Sequence, residues 1–272
     1  MYKHLQNLHT HGTFADGKDE YEATVLRALE LGFHSVGFSE HIYMPYSPEY
    51  SMSISDTEKY KSEINRLKSK YASQIDVFCG IEFDMYSPEK IDEYDYVIGA
   101  VHYLKFGDKY IGFDRSADAV KEVIDQHFAG DGIAFAKECY KQIALLPTFA
   151  KCDIIAHFDI MTKNCEKANL FDTDSKEYKN AALEALHAVA EGCNVFEVNT
   201  GAIARGYRTT PYPAPFLMKE IKDMGGFVTI GSDCHDNRYL DCSFDHMVEY
   251  IRSFGFKEII NLTKDGFVPF KI

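Results

Sequence analysis

Seven short apolar segments alternate along the 272-residue chain with longer segments of helical periodicity, and this order constrains the fold most. The apolar segments, rich in β-branched and aromatic residues, are 5–8, 35–38, 77–81, 96–101, 153–156, 194–198 and 227–230. A repeated strand–helix order predicts a parallel sheet covered by helices. Strands that are apolar on successive residues indicate a sheet that is buried on both faces.

The helical segments leave two architectures open, a closed barrel and an open doubly wound sheet. They span residues 20–31, 56–71, 116–128, 133–149, 175–190, 215–224 and 244–254, and several end at glycine. No glycine-rich phosphate loop follows the first strand, which disfavours a dinucleotide-binding sheet. Because no linker interrupts the pattern, we expect a single domain over 1–272. The two consecutive helical patterns within 105–150 are expected to form a helical insertion on one rim.

The composition favours a cytoplasmic protein whose substrate is a small molecule. The net charge is −13 and the basic residues are not clustered, whereas nucleic-acid and anionic membrane surfaces need a basic patch. Seven cysteines without a C-x-x-C pair fit reduced thiols better than disulfides. Because the sequence has no basic patch, we expect no nucleic-acid partner. Because it has no signal peptide and no apolar segment of membrane length, we expect no membrane partner.

Metal-ligand residue types follow six of the seven predicted strands. In chain order they are His9 and His11, His41, Glu82, His102, His157, and Asp233 and His235, with Asp16 shortly after the first strand. In barrels the active site is built from several strands at their C-terminal ends. Six of the eleven histidines follow strands in this way, and the others lie at strand starts or in helical segments. Such coincidence favours a metal site over isolated core histidines.

The spacing of these residues adds to the prediction. Residues two apart in a strand face the same side, so His9 and His11 can bind one cation together. Asp233 and His235 have the same spacing and could also serve two neighbouring ions. A carboxylate can bridge two metals through its two oxygens, and Glu82 is the expected bridge.

The complete set of motifs resembles the polymerase and histidinol phosphatase (PHP) superfamily over nearly the whole chain. The motifs are His-Thr-His (9–11), Ser-Glu-His (39–41), Gly-Ile-Glu (80–82), Gly-Ala-Val-His (99–102), Ile-Ile-Ala-His-Phe-Asp (154–159), Glu-Val-Asn-Thr (197–200) and Gly-Ser-Asp-Cys-His (231–235). The resemblance implies an α/β fold, a distorted (β/α)7 TIM-like barrel, which agrees with the seven predicted strands.

The resemblance also implies three divalent metal ions and their ligands. The first ion would take His9, His11, Glu82 and Asp233, the second Glu82, His102 and His157, and the third Asp16, His41 and His235. Zinc, iron and manganese all suit this mixture of imidazole and carboxylate. Metal ions neutralise phosphoryl oxygens and lower the pKa of bound water, so the expected reaction is hydrolysis of a phosphate monoester by metal-activated hydroxide.

Within the superfamily, three features favour histidinol phosphate as the substrate. They are His102-Tyr103-Leu104 before the insertion, Ala156-His157-Phe158-Asp159, and Asn199-Thr200 followed by an arginine-bearing loop and Tyr212-Pro213-Ala214-Pro215. The alternatives are a phosphatase for nucleotides or phosphotyrosine and a non-catalytic metal-binding module. An amidohydrolase barrel fits less well, because its fourth strand typically ends in lysine rather than His102.

The sequence leaves alternatives open for the residues that would act on the substrate beside the metals. Arg205 and Arg208 are both candidates for clamping the phosphate, since guanidinium matches phosphate geometry. Asp159 could protonate the leaving group or orient a neighbouring histidine. Recognition of the ammonium and imidazole of the substrate is expected from Asp84, Tyr103 and Phe158.

Overall fold

The computed structural model describes residues 5–272 and contains a parallel barrel as its central feature. The strands are β1 (Gln6–Asn7), β2 (Ser35–Phe38), β3 (Asp76–Asp84), β4 (Tyr96–Ala100), β5 (Tyr103–Phe106), β6 (Lys109–Gly112), β7 (Ile154–Ile155), β8 (Val195–Asn199), β9 (Phe227–Gly231), β10 (Glu258–Thr263) and β11 (Gly266–Lys271). Seven of them pair in the order β1-β2-β3-β4-β7-β8-β9, all parallel. The predicted seven-stranded α/β architecture is therefore confirmed.

Helices cover the outside of this barrel. They are α1 (Tyr21–Glu30), α2 (Ile54–Tyr71), α3 (Ala117–Phe128), α4 (Gly132–Ile143), α5 (Leu146–Phe149), α6 (Lys176–Ala190), α7 (Gly201–Ala204), α8 (Pro215–Asp223) and α9 (Phe244–Ser253). Helix α2 shows how they form: the Ser53 side chain caps its first turn, and one apolar face is buried. Between residues 5 and 272, no helix is both long and apolar enough to span a membrane.

Hydrogen bonds between the first and last barrel strands nearly close the sheet. The His11 amide donates to the Cys234 carbonyl over 2.8 Å, and the Cys234 amide donates to the His9 carbonyl over 3.0 Å. Below them the Asn7 side chain donates to Ser232 Oγ over 2.6 Å. These contacts bring residues from opposite ends of the chain together, as a barrel requires and an open sheet does not.

The barrel interior is filled by apolar side chains rather than by an open channel. The Tyr96 ring crosses the interior, and its hydroxyl donates to the Phe38 carbonyl over 3.0 Å. A Cβ at Gly37 or Gly80 would overlap the Tyr96 side chain, so these glycines make room for it. At the opposite end from the strand C-termini, Leu262 of the β10–β11 hairpin packs into the same cluster.

The connection between β4 and β7 contains two consecutive helices within 105–150 and also a hairpin that was not expected. It begins with an antiparallel hairpin, β5–β6, in which Tyr103 pairs with Gly112. Helices α3 and α4 follow, and α4 packs against α6. The hairpin was not predicted because its strands are half exposed, so their apolar pattern is weak.

Candidate metal centre

All nine predicted metal ligands lie at the C-terminal face of the barrel, and each side chain is at most 26% exposed. They follow β1, β2, β4, β7 and β9, whereas Glu82 lies within β3, two residues before its end. Four histidines predicted to lie elsewhere, His34, His127, His187 and His246, are exposed. His4 lies outside the described residues.

Glu82 lies at the centre of this group and faces five imidazoles. Its Oε1 lies 3.1 Å from His157 Nε2 and 3.5 Å from the Nε2 atoms of His9 and His102. The other oxygen, Oε2, lies 2.7 Å from His41 Nδ1 and 3.6 Å from His11 Nε2. The two oxygens thus face different sets of imidazoles, which is the arrangement that a bridging carboxylate needs.

Two aspartates extend the group on the side of β9. Asp233 Oδ1 lies 3.3 Å from His11 Nε2 and 3.6 Å from His9 Nε2. Asp16 Oδ1 lies 3.1 Å from His235 Nε2 and 3.7 Å from His41 Nε2. Asp233 has the left-handed backbone conformation (φ 47°), which aspartate tolerates better than most residues.

Ligand atoms come within 4.8 Å of one another in four overlapping groups. These are His9, Glu82 and His157; His9, His11 and Asp233; His41, Glu82 and His102; and His11, Asp16, His41 and His235. The expected third set is present with His11 added. The expected second set is divided, because His157 and His102 meet Glu82 in different groups.

The buried donor atoms fit metal ions better than an ordinary hydrogen-bonded core. Over residues 5–272, the Nε2 atoms of His9 and His11 and the Oδ1 atom of Asp16 are buried without a hydrogen-bond partner. Buried polar atoms in proteins are almost always paired. Two ligand atoms that are each about 2.1 Å from one ion at a tetrahedral angle are about 3.4 Å apart. Six of the separations around Glu82 and Asp233 lie between 3.1 and 3.6 Å, close to that value, and the 2.7 Å contact of His41 Nδ1 with Glu82 Oε2 is shorter.

The electrostatics of the group favour ionised carboxylates surrounded by imidazoles. Burial alone would raise the pKa of Glu82, but His41 and His9 hold it well below its usual range. Burial disfavours imidazolium at His41, yet Glu82 and Asp16 raise the pKa of this histidine to about 10. The pKa of His11 is lowered to about 3, by burial and by His235 and His41. Because protons compete with metals for these nitrogens, metal uptake should release protons.

Glu197 is a functional residue that the sequence analysis missed. It lies in β8, is 1% exposed, and its Oε1 is 2.7 Å from His9 Nδ1. A carboxylate only accepts hydrogen bonds, so His9 Nδ1 carries the hydrogen and Nε2 is left to face Glu82. The other oxygen of Glu197, Oε2, accepts hydrogen bonds from the His157 amide and the Asn199 side chain. The available signal was a glutamate inside a buried strand, which is rare unless the charge is paired.

Glu40 was also missed, although it precedes a predicted ligand. It is fully buried and accepts hydrogen bonds from the Gly12 amide and the Tyr21 hydroxyl. Its Oε2 lies 3.9 Å from His11 Nδ1. Burial raises the pKa of Glu40 to about 8, against the lowering effect of the Tyr21 hydrogen bond. Glu40 therefore links the first turn after β1 to the end of β2.

Asp84 supports a metal-facing histidine instead of lining the cavity. Its Oδ2 accepts a hydrogen bond from the His102 amide over 3.0 Å and lies 3.3 Å from His102 Nδ1. Its Oδ1 accepts from the Tyr46 hydroxyl over 2.7 Å. Both oxygens are therefore engaged within the protein, which does not fit the expected contact of Asp84 with a substrate.

The structure separates the two arginines that the sequence left as alternatives. The Arg205 side chain lines the cavity above the metal centre, and its Nη2 lies 2.7 Å from Asp233 Oδ2. Arg208 is buried elsewhere, with its guanidinium over the Tyr212 ring and hydrogen-bonded to Thr162. Of these two arginines, Arg205 is therefore the one that lines the cavity.

Two other predicted residues lie away from the cavity. Asp159 is fully buried, and its Oδ2 accepts a hydrogen bond from the Ala214 amide. Phe158 is also buried, where its ring packs against Tyr140 and Phe196. Each follows His157 in sequence, but their side chains point into the surrounding core. The structure brings neither to the place expected for a leaving-group acid or a substrate contact.

An open cavity of about 440 Å³ lies above the metal centre. Tyr103 lines it as expected, and the Tyr103 hydroxyl donates to Ser47 Oγ over 2.5 Å. Arg115, Lys163 and Arg205 supply positive charge to its wall. A concave site of this volume with a few convergent charged groups is typical of small-molecule binding.

Comparisons with known proteins agree on one family. The family profile described as PHP domain matches residues 7–201. The histidinol-phosphatase of Bacillus subtilis is 23% identical over 270 residues, covering 92% of this chain and 99% of the relative. A protein of Deinococcus radiodurans, described as a probable histidinol-phosphatase, is 29% identical over 241 residues, which cover 84% of this chain and 85% of the relative.

A solved structure has the same fold. It is histidinol phosphate phosphatase from Lactococcus lactis, complexed with zinc, L-histidinol and phosphate. The two superpose with a TM-score of 0.77 at 22% sequence identity, covering 97% of this chain and 98% of the other.

Proposed function

This chain belongs to the PHP domain family, and from that premise we propose that it is a metal-dependent phosphomonoesterase acting on L-histidinol phosphate. The products would be L-histidinol and phosphate, in a step of histidine biosynthesis. The observation that carries the proposal is the convergence of six imidazoles and three carboxylates at one end of the barrel. The substrate is supported by the histidinol-phosphatases that align over 84–92% of this chain.

We propose that three divalent ions, of zinc, iron or manganese, bind at this centre. The zinc in the Lactococcus lactis complex and the mixed imidazole and carboxylate donors support this choice. One ion would be held by His9, His11 and Asp233 and a second by His102 and His157, with Glu82 shared between these two. A third would be held by Asp16, His41 and His235. When bound, such ions neutralise phosphoryl oxygens and make hydroxide available from water at neutral pH.

The side chains around the ligands keep them in a productive orientation. Glu197 and Asp84 each receive the Nδ1 hydrogen of a histidine, so that Nε2 of His9 and His102 faces Glu82. Carboxylate partners of this kind fix the tautomer and raise the basicity of a metal-ligating imidazole. Both supports come from barrel strands, which makes the centre rigid.

Arg205 is the proposed phosphate clamp. Its guanidinium is anchored by the Asp233 carboxylate and carbonyl, the latter at 3.1 Å, and the Arg205 side chain is 32% exposed and lines the cavity. A guanidinium can donate two parallel hydrogen bonds to phosphate oxygens. Anchoring it before substrate binds reduces the side-chain entropy that is lost on binding.

The cavity and the net charge favour a small phosphate ester over a macromolecular substrate. A volume of about 440 Å³ matches a compact amino-alcohol phosphate, and a net charge of −13 repels nucleic acid. A nucleoside monophosphate and a phosphotyrosine peptide remain the comparison substrates.

The test is phosphate release by protein purified without chelators, measured as kcat/KM for three esters. L-Histidinol phosphate should exceed a nucleoside monophosphate and a phosphotyrosine peptide by at least about tenfold. The His9→Ala variant should lose activity toward every substrate, which excludes a contaminating phosphatase. Preference for either comparison ester would contradict the proposed substrate. Absence of activity in metal-loaded protein would contradict the proposed enzyme.

A further inference from the structure

The cavity wall holds one carboxylate that is neither part of the metal groups nor fully paired. Four aspartates line the cavity, and two of them, Asp16 and Asp233, face the candidate ligand histidines. A third, Asp236, accepts hydrogen bonds from Arg238 at 2.6 and 2.8 Å. The fourth is Asp114, whose Oδ1 accepts from Lys163 over 2.5 Å. Its Oδ2 receives no hydrogen bond from any residue between 5 and 272.

The β5–β6 hairpin places Asp114 beside the metal centre. The Phe113 amide donates to the His102 carbonyl over 3.0 Å, which extends the hairpin pairing back to a candidate ligand. Asp114 is the next residue along the chain. The chain thus leaves the barrel after His102 and returns to it at Phe113, so that Asp114 lies in the cavity wall.

Contacts with the segment after β7 hold Asp114 in place. The Asn164 side chain donates to the Arg115 carbonyl over 2.9 Å, next to the ion pair of Lys163 and Asp114. Burial opposes ionisation of Asp114, but Lys163 and His102 lower its pKa, so the carboxylate remains charged. Asp114 is therefore a fixed carboxylate that is ion-paired with Lys163, in a wall that also carries Arg115 and Arg205.

We propose that Asp114 binds the ammonium group of the substrate and thereby selects phosphate esters of amino alcohols. The inference rests on the proposed function and adds the residue that recognises the organic half. An ammonium entering this wall needs a carboxylate partner, and Oδ2 of Asp114 is the oxygen available for it. The Asp114 side chain is 26% exposed, and an ester without the ammonium would leave its Oδ2 without this second partner, which penalises the wrong substrate.

The test compares two esters that differ only in the ammonium group. They are L-histidinol phosphate and its deamino analogue, 3-(imidazol-4-yl)propyl phosphate. Wild-type protein should prefer the ammonium ester by roughly 10- to 100-fold in kcat/KM, the range for a charged hydrogen bond. In Asp114→Asn this preference should fall to near one, because KM for L-histidinol phosphate rises while the deamino ester is little affected.

Two further variants separate recognition from folding. Asp236→Asn removes a carboxylate from the same wall that is already paired with Arg238, and it should keep the wild-type preference. Asp114→Glu keeps the charge on a longer side chain and should retain part of the preference.

Equal losses on both esters in Asp114→Asn would mean that Asp114 is structural, and would overturn the inference while leaving the proposed function intact. Wild-type protein that hydrolyses neither ester would overturn both.

Discussion

At the scale of single side chains, two carboxylates that contact Nδ1 of a histidine determine which imidazole nitrogen faces the candidate metal centre. Imidazole has two nitrogens, and a histidine in a sequence does not reveal which one faces the ligand site. In this protein Glu197 and Asp84 engage Nδ1 of His9 and His102, which leaves Nε2 of both directed at Glu82. Each supporting carboxylate is almost completely buried, which strengthens its hydrogen bonds.

Removing Glu197 should therefore weaken metal binding without removing a ligand. We expect Glu197→Ala to lower metal affinity roughly 10- to 100-fold, because His9 loses its orienting acceptor. Competition with a chromophoric chelator measures the change. Glu184→Ala, at an exposed position of α6, is the control and should bind metal like wild type. Unchanged affinity in Glu197→Ala would show that His9 does not depend on this contact.

At the scale of elements, glycines in the strands determine how the barrel is filled. Gly37 in β2 and Gly80 in β3 lie against the Tyr96 side chain from β4, where any Cβ would overlap it. The Tyr96 hydroxyl lies within hydrogen-bond distance of two backbone carbonyls, that of Leu8 just after β1 and that of Phe38 in β2. One aromatic residue thus connects β4 to the two strands that His9, His11 and His41 follow.

A methyl group at position 80 should disturb this packing. Gly80→Ala is expected to lower the free energy of unfolding by roughly 1–3 kcal/mol, the usual range for overpacking a core. Urea denaturation of Gly80→Ala, Tyr96→Leu and the double variant measures the coupling. If the account is correct, the alanine costs less in the Tyr96→Leu background. An equal cost in both backgrounds would place the strain elsewhere.

The sequence predicted the barrel elements because their signals are local. Helix α1, for example, ends at Glu30 just before Gly32, which has a φ of 75° that glycine adopts readily. The β5–β6 hairpin gave no comparable signal, since its two strands are half exposed and lack a continuous apolar pattern. Element existence is thus predictable where burial imposes a clear pattern and not where the chain lies on the surface.

At the scale of the whole molecule, the sequence predicted where the site would be but not which ligand side chains group together. Parallel strands share one C-terminal edge, so ligands that follow them must converge. Which atoms meet depends on loop conformation, as with His11, which joins the group containing Asp16. Arg205 and Arg208 are three residues apart, yet only Arg205 lines the cavity. Side-chain direction in a loop has no periodicity from which it could be predicted.

The most direct test of the whole account is the metal content per chain of the wild-type protein and of Glu82→Ala, measured by elemental analysis. Glu82 faces five imidazoles with its two oxygens, so its loss should release more than one ion. The matched control is His187→Ala, which changes an exposed histidine of α6. We predict close to three divalent ions in the wild type and in the control, and at least two fewer in Glu82→Ala together with loss of phosphatase activity. A full metal complement in Glu82→Ala, or a fully active wild type without metal, would contradict the account.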